Sequence, residues 1–270
     1  MKNVILIRHL DDIQDFRTPE RNNPIQKSEF AKIESISHKL LSALGKNDRI
    51  LFITSPQRRC IQTAKELAKS SLLTKKHSIR IYTDSRIRDL RHGRYLLPPK
   101  YIPGTVPKSF LEAAKVYAEQ TFKKGDLLYR HGYPVINSTS IKNPALDNRF
   151  TEYGEHQAEF SLRFYEFINE ITNDFNKSDS PQVVIIAHTA IIFRFFELCL
   201  LFDDIQSGKR PQLSPGEMSI AEQAYVNQLV DSAPNKIFVL PGEVKTIKLE
   251  PIIRNRTQII NEIKFLKELT

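Results

Sequence analysis

The sequence predicts an α/β fold: a three-layer sandwich with a mostly parallel central sheet, helices on both faces and an inserted cap region. Three observations carry that expectation. Short all-apolar runs recur along the chain, helical periodicities separate them, and residues able to do chemistry follow directly after the runs. Val4-Ile5-Leu6-Ile7 is the first run, as expected of a parallel strand covered on both faces. Ile33, Ile36, Leu40 and Leu44 then repeat at helical spacing before Gly45, a natural helix stop. Residues 50–53 form a second buried strand. Ser55-Pro56 offer an N-cap and a first-turn proline for a helix running to residue 69, and residues 79–82 read as a third strand.

Between 94 and 150 the periodicity fades, broken by Pro98, Pro99, Pro103, Pro107, Pro134 and Pro144, with one helix expected near 108–122. This stretch reads as the inserted cap. The alternating pattern returns with Phe160, Phe164, Phe167, Ile168 and Ile171 on one helix face, then a strand at 183–186 and an apolar helix over 191–202. Near the end, residues 236–240 and 244–249 flank Pro241-Gly242-Glu243 as a hairpin, and Thr257 can cap a last helix. The expected organisation is one domain over 1–270, with the cap at 94–150 and a hairpin-helix extension at 236–270.

A chain of 270 residues that is 40% hydrophobic can bury a full core. No secretory leader is expected before the first strand, and the longest apolar stretch is broken by Arg194 and Glu197 short of the roughly 18 residues a membrane helix needs. Cys60 and Cys199 both fall in helical stretches and read as reduced packing residues, which suits a cytoplasmic protein. The net charge of +9 favours anionic partners. With no basic block carrying interleaved aromatics and no zinc-finger spacing, a phosphorylated small molecule is preferred over nucleic acid.

In an open α/β sheet the ligand crevice lies beyond the carboxyl ends of the strands. Arg8-His9, Ser55-Pro56 with Arg59 one turn on, Asp89 and His188 all fall there. Guanidinium forks from Arg8 and Arg59 suit the oxygens of a phosphoryl dianion. An imidazole such as His9 is a competent nucleophile near neutral pH, and the poor alkoxide leaving group calls for a proton donor, for which Asp89 is the candidate. A carboxyl beside a phosphate dianion holds its proton more tightly because like charges repel.

Rival phosphatase chemistries lack their residues. Six positions after Cys60 and Cys199 stand Glu66 and Ile205, not the arginine a cysteine phosphatase needs. The acids after the first strand are Asp11, Asp12 and Asp15 rather than Asp-x-Asp, and read as loop solvation or helix capping. No P-loop, nucleophile-elbow or zinc-protease pattern occurs, and neither metal nor cofactor is expected. His92, His131 and His156 read as surface or structural residues.

These residues resemble the histidine phosphatase superfamily, which includes the phosphoglycerate mutases. Leu6-Ile7-Arg8-His9 resembles its opening Arg-His-Gly motif, and the segment from Thr54-Ser55-Pro56-Gln57 through Arg59 to Gln62-Thr63-Ala64 is similar to its Ser-Pro-x-x-Arg-Ala-x-Gln-Thr-Ala stretch. Ile87-Arg88-Asp89-Leu90-Arg91-His92-Gly93 is similar to Leu-x-Glu-x-x-x-Gly, with Asp in place of the acid Glu. Gly154-Glu155-His156 through Phe160 and Arg163 resembles the Gly-Glu-Ser helix, and Ile185-Ile186-Ala187-His188 the strand bearing the second histidine.

The resemblance implies that His9 is the phosphorylated nucleophile, that Arg8, Arg59 and His188 bind the phosphoryl group, and that Asp89 donates the proton, with His188 also part of the catalytic set. Glu155 is the alternative acid. Arg130, one of several basic and aromatic residues in the insertion, is a candidate for holding the rest of the substrate. Leu10 and Thr189 stand where glycines usually follow the two histidines, Glu29 where the first helix often has glycine, and Asp15 where the mutases have asparagine. The expected function is phosphomonoester hydrolysis through phosphohistidine. The alternative is a catalytically weak or inactive phosphate-binding protein of the same fold, and phosphomutase activity ranks lower.

Overall fold

The computed structural model describes residues 3–13, 23–44, 49–89, 157–174, 181–218 and 239–269, together with the backbone of 127–130 and 133–136. Five strands build the central sheet: β1 (Asn3–Arg8), β2 (Arg49–Thr54), β3 (Ser78–Thr83), β6 (Gln182–Ala187) and β7 (Val244–Lys248). Their order is β3-β2-β6-β1-β7. The first four are mutually parallel and β7 runs antiparallel to β1. This is the mostly parallel α/β sheet that the apolar runs predict.

Parallel neighbours need crossovers, and the helices supply them. The helices α1 (Ile33–Ala43) and α2 (Arg58–Lys69), with the single turn α3 (Ser71–Thr74), cover one face. The helices α4 (Gln157–Asp174), α5 (Thr189–Gln206), α6 (Glu250–Arg254) and α7 (Arg256–Leu269) cover the other. Because strand side chains alternate, Ile5, Ile7, Ile50, Phe52, Val184 and Ile186 pack with Ile36, Leu40, Ala64 and Leu67. Val4, Leu6, Ile53, Val183 and Ile185 turn the other way, onto Phe160, Phe164, Phe195, Leu198 and Phe202. Each such aromatic, fully buried, contributes roughly 1.5–3 kcal/mol before entropy is charged against it.

Some local expectations change. Residues 244–248 form β7, which pairs with β1 as the antiparallel edge; of the partner strand expected at 236–240, Val239 and Leu240 are not in a strand and 236–238 lie outside the described residues. The sheet had an open neighbour position beside β1, and filling it satisfies a whole ladder of backbone groups. Ser55 is not the N-cap of α2. That position belongs to Gln57, whose N–H donates to Ser55 Oγ at 3.4 Å. Thr257 lies inside α7, after a separate turn, α6, with Pro251 near its start. Within residues 94–150, β4 (Leu127–Arg130) and β5 (Tyr133–Ile136) form an antiparallel pair, whereas the helix expected near 108–122 lies outside the described residues.

Arg194 and Glu197, read from the sequence as interruptions of an apolar helix, are both buried in α5. Arg194 donates to Ser161 Oγ at 2.7 Å and its guanidinium lies over the rings of Phe160, Phe164 and Tyr165. Among the described residues no helix is long and apolar enough to cross a membrane.

Candidate active site

The carboxyl ends of β1, β2 and β6 lie side by side, so the residues that follow them converge. His9 N–H continues the sheet pattern by donating to Ala187 O at 3.1 Å, and Ser55 N–H donates to Ile186 O at 3.1 Å. His9 and His188 consequently face each other with ring centroids 4.9 Å apart at 57°. Both are buried, at 6% and 1% exposure, and such burial of two imidazoles demands partners for their nitrogens.

Those partners fix the tautomers. Nδ1 of His9 lies 2.6 Å from Leu10 O, an acceptor only, so Nδ1 carries the proton and Nε2 keeps its lone pair. That lone pair accepts from Arg59 Nε at 3.1 Å. Nη2 of the same guanidinium reaches His188 Nδ1 at 3.1 Å, which leaves His188 Nε2 to donate to Ser55 Oγ at 2.9 Å. Burial holds the protonation of both rings down. It depresses His9 well below the ordinary histidine value, helped by His188 and Arg59, and takes His188 to about 4 against the opposing pull of Asp89. Both imidazoles are neutral at neutral pH.

Arg59 is the hub of the cluster. At 4% exposure it also meets Asp89 Oδ2 at 3.0 Å and Asp12 Oδ2 at 3.6 Å. Its helix, α2, starts one residue earlier, so the first turn faces the strand ends and presents Arg59 inward. Thr63, one turn on, accepts from Leu10 N–H at 3.1 Å and ties the loop after β1 to α2. Asp89 follows the 3-10 turn Ser85–Ile87 beyond β3, and its Oδ2 lies 3.5 Å from His188 Nδ1.

Arg8 reaches the same cluster from the end of β1. Its Nη1 donates to Val239 O at 2.8 Å, while its Nε is buried with no acceptor among the described residues. Burial lowers its proton affinity, and Asp11, Asp89 and Asp12 oppose that shift.

The structure therefore brings together His9, Arg59, Asp89 and His188, with Arg8 in their electrostatic field. Glu155 lies outside the described residues, and of Arg130 only the backbone at the end of β4 is described. Asp12 is a correction: read from the sequence as loop solvation or capping, it sits half-buried beside Arg59, and its burial raises its proton affinity. Gln57 was missed. Its Oε1 accepts from Asp89 N–H at 3.3 Å and from Arg59 Nη2 at 3.4 Å, and its place two residues before Arg59 was the available signal.

The three departures from glycine also find physical reasons. Thr189 is the first residue of α5 and adopts helical backbone, which asks for no glycine. Glu29 is buried at 7%, accepts from Asp11 N–H at 3.3 Å and pairs with Lys32. Leu10 is wholly buried against Gly242 and Ile36.

Taken together, the fold and the site define an α/β protein with a buried centre of two neutral histidines, an arginine hub and a carboxylate. No family model and none of the curated proteins matches the sequence. Among solved structures the chain is similar to a mycobacterial glucosyl-3-phosphoglycerate phosphatase, with 14% identity, 72% of this chain and 76% of that one covered, and a TM-score of 0.43. It is similar to the product of an open reading frame of Mycobacterium tuberculosis, with 16% identity, 92% of each chain covered and a TM-score of 0.45. It is similar also to a phosphoglycerate mutase from Bacillus anthracis, with 13% identity, 79% of this chain and 83% of that one covered, and a TM-score of 0.41.

Proposed function

We propose that this chain is a phosphomonoester hydrolase that works through a phosphohistidine on His9 and acts on a phosphorylated small molecule. The observation that carries the reading is the tautomer of His9: Nδ1 is committed to Leu10 O, so the lone pair of Nε2 is directed at the Arg59 guanidinium where an anion would be held. Arg59, with the Nε of Arg8, which has no acceptor among the described residues, supplies the positive donors for the phosphoryl oxygens.

The chemistry balances in two steps. Nε2 of His9 attacks phosphorus as the bond to the leaving oxygen breaks, and Asp89, protonated beside the dianion, gives that oxygen its proton. Water then attacks the phosphohistidine, its proton passes to the Asp89 carboxylate, and the N–P electron pair returns to Nε2. Neutral His188 donates no net proton and lends Nδ1 to the orientation of Arg59. Asp89 sits within reach of both Arg59 and His188 despite being one methylene shorter than glutamate.

A second reading has one observation of its own. Arg59 Nε bonds directly to the nucleophilic Nε2, and Asp89 is paired with the same guanidinium, an arrangement that favours phosphate binding without turnover unless an incoming anion displaces both contacts. Rapid quench with a radiolabelled phosphate ester separates the two. Hydrolysis with acid-labile, base-stable label, both lost in His9→Ala, supports the enzyme. Stabilisation of the fold by phosphate, with every ester in a broad screen left intact, supports the binding protein.

A further inference from the structure

A short acid is useful only if its backbone is held still, because the reach of Asp89 is set by the position of its Cα. The two peptide groups of Asp89 are anchored from opposite sides. Its N–H donates to Gln57 Oε1 at 3.3 Å, at the start of α2. Its C=O accepts from Arg163 Nη2 at 3.3 Å, from α4 on the other side of the segment. The same guanidinium donates through Nη1 to Arg88 O at 3.0 Å and to Arg86 O.

Arg163 thus holds three carbonyls of the chain that delivers Asp89. Its guanidinium lies 4.6 Å from the centre of the Phe160 ring, one helical turn back on α4, and the residue is only 9% exposed. A second tie fixes the same segment to α4. Arg86, whose N–H is capped by Asp84 Oδ1 at 2.8 Å, pairs with Glu170 at 2.6 Å.

We propose that Arg163 is a positioning residue for the proton donor Asp89, its guanidinium setting the height of the 86–89 segment over His188 and Arg59. This rests on the reading of Asp89 as the acid given above. A planar fork with several N–H groups can bind three carbonyls in fixed directions, which a lysine ammonium cannot reproduce. The groups around the Asp89 carboxylate are Arg59 from α2, His188 after β6, and His9 and Arg8 at the end of β1. Arg163 itself adds to the positive field that keeps His188 neutral.

The test compares Arg163→Met and Arg163→Lys with the parent on an alkyl ester, β-glycerol phosphate, and an aryl ester, p-nitrophenyl phosphate. Thermal melts confirm that each variant is folded. Misplacement of the donor by about an ångström should lower kcat on the alkyl ester roughly ten- to hundredfold, with KM unchanged to within about twofold. The aryl ester, whose leaving group needs little protonation, should lose less than about threefold. Arg163→Lys should fall between parent and Arg163→Met. In an Asp89→Asn background, Arg163→Met should cost nothing further on the alkyl ester, since the group it positions is already disabled.

Equal losses on the two esters, or losses that add to those of Asp89→Asn, overturn the positioning role while leaving the phosphatase reading intact. If Arg163→Met does not fold, the same pattern read in Arg163→Lys decides. A parent that leaves every ester of a broad screen intact overturns the phosphatase reading, and the positioning role with it.

Discussion

Leu10 occupies space that exists only because residue 242 has no side chain. A Cβ on Gly242 would stand 3.2 Å from Cδ2 of Leu10 and 2.6 Å from Cδ1 of Ile36, and the φ of +76° disfavours any L side chain in addition. The turn that carries Gly242 also feeds β7 and returns Gly242 N–H to Arg8 O at 3.0 Å. The leucine that follows His9 and the glycine far along the chain are therefore a matched pair.

Gly242→Ala should destabilise the fold by about 2 kcal/mol or more, from the backbone penalty and the overpacking together. For a chain of this size that lowers the melting temperature by roughly 4–8 °C. An unchanged melt would show that Ile36 and Leu10 give way freely.

Asp89→Asn should reduce kcat on alkyl phosphates by roughly a hundredfold and on aryl phosphates much less, the signature of a lost proton donor. A plot of log kcat against leaving-group pKa should steepen in the variant. Identical slopes would remove Asp89 from the proton-donor role.

Arg59→Lys should raise the inhibition constant for inorganic phosphate by about tenfold or more. One ammonium cannot bond His9 Nε2, His188 Nδ1 and Asp89 Oδ2 in the directions the fork now serves. Inhibition by phosphate at unchanged strength would place the anion elsewhere.

Acid should unfold the protein through its histidines. His188 titrates at about 4 in the fold and near 6.5 when unfolded, so below pH 6.5 the unfolded chain binds a proton that the fold refuses. The stability from this group is whole above pH 6.5 and is lost as pH falls toward 4, with a slope of about 1.4 kcal/mol per pH unit. His9, shifted in the same direction, steepens the loss. Urea midpoints between pH 6.5 and 5 should drop accordingly, and the drop should shrink in His188→Asn. A flat profile would mean that the rings take up protons without unfolding.

Much of this molecule was legible from residues alone because its signals are local. Apolar runs such as Val4-Ile5-Leu6-Ile7 can be satisfied only between two helical layers, and the residue just past each run then has to lie at the crevice edge. That reasoning places His9, Arg59, Asp89 and His188 at the crevice edge. What the tertiary structure decided depends on segments distant in sequence. It turned 244–248 into the fifth strand, chose the His9 tautomer, drew Asp12 onto Arg59, and set Gly242 against Leu10. It also placed Arg163, 74 residues from Asp89, beneath the acid's own carbonyl. Periodicity reports which face of an element is buried, but the partner a polar group finds there is fixed only when the layers close and every buried N–H and C=O must be matched.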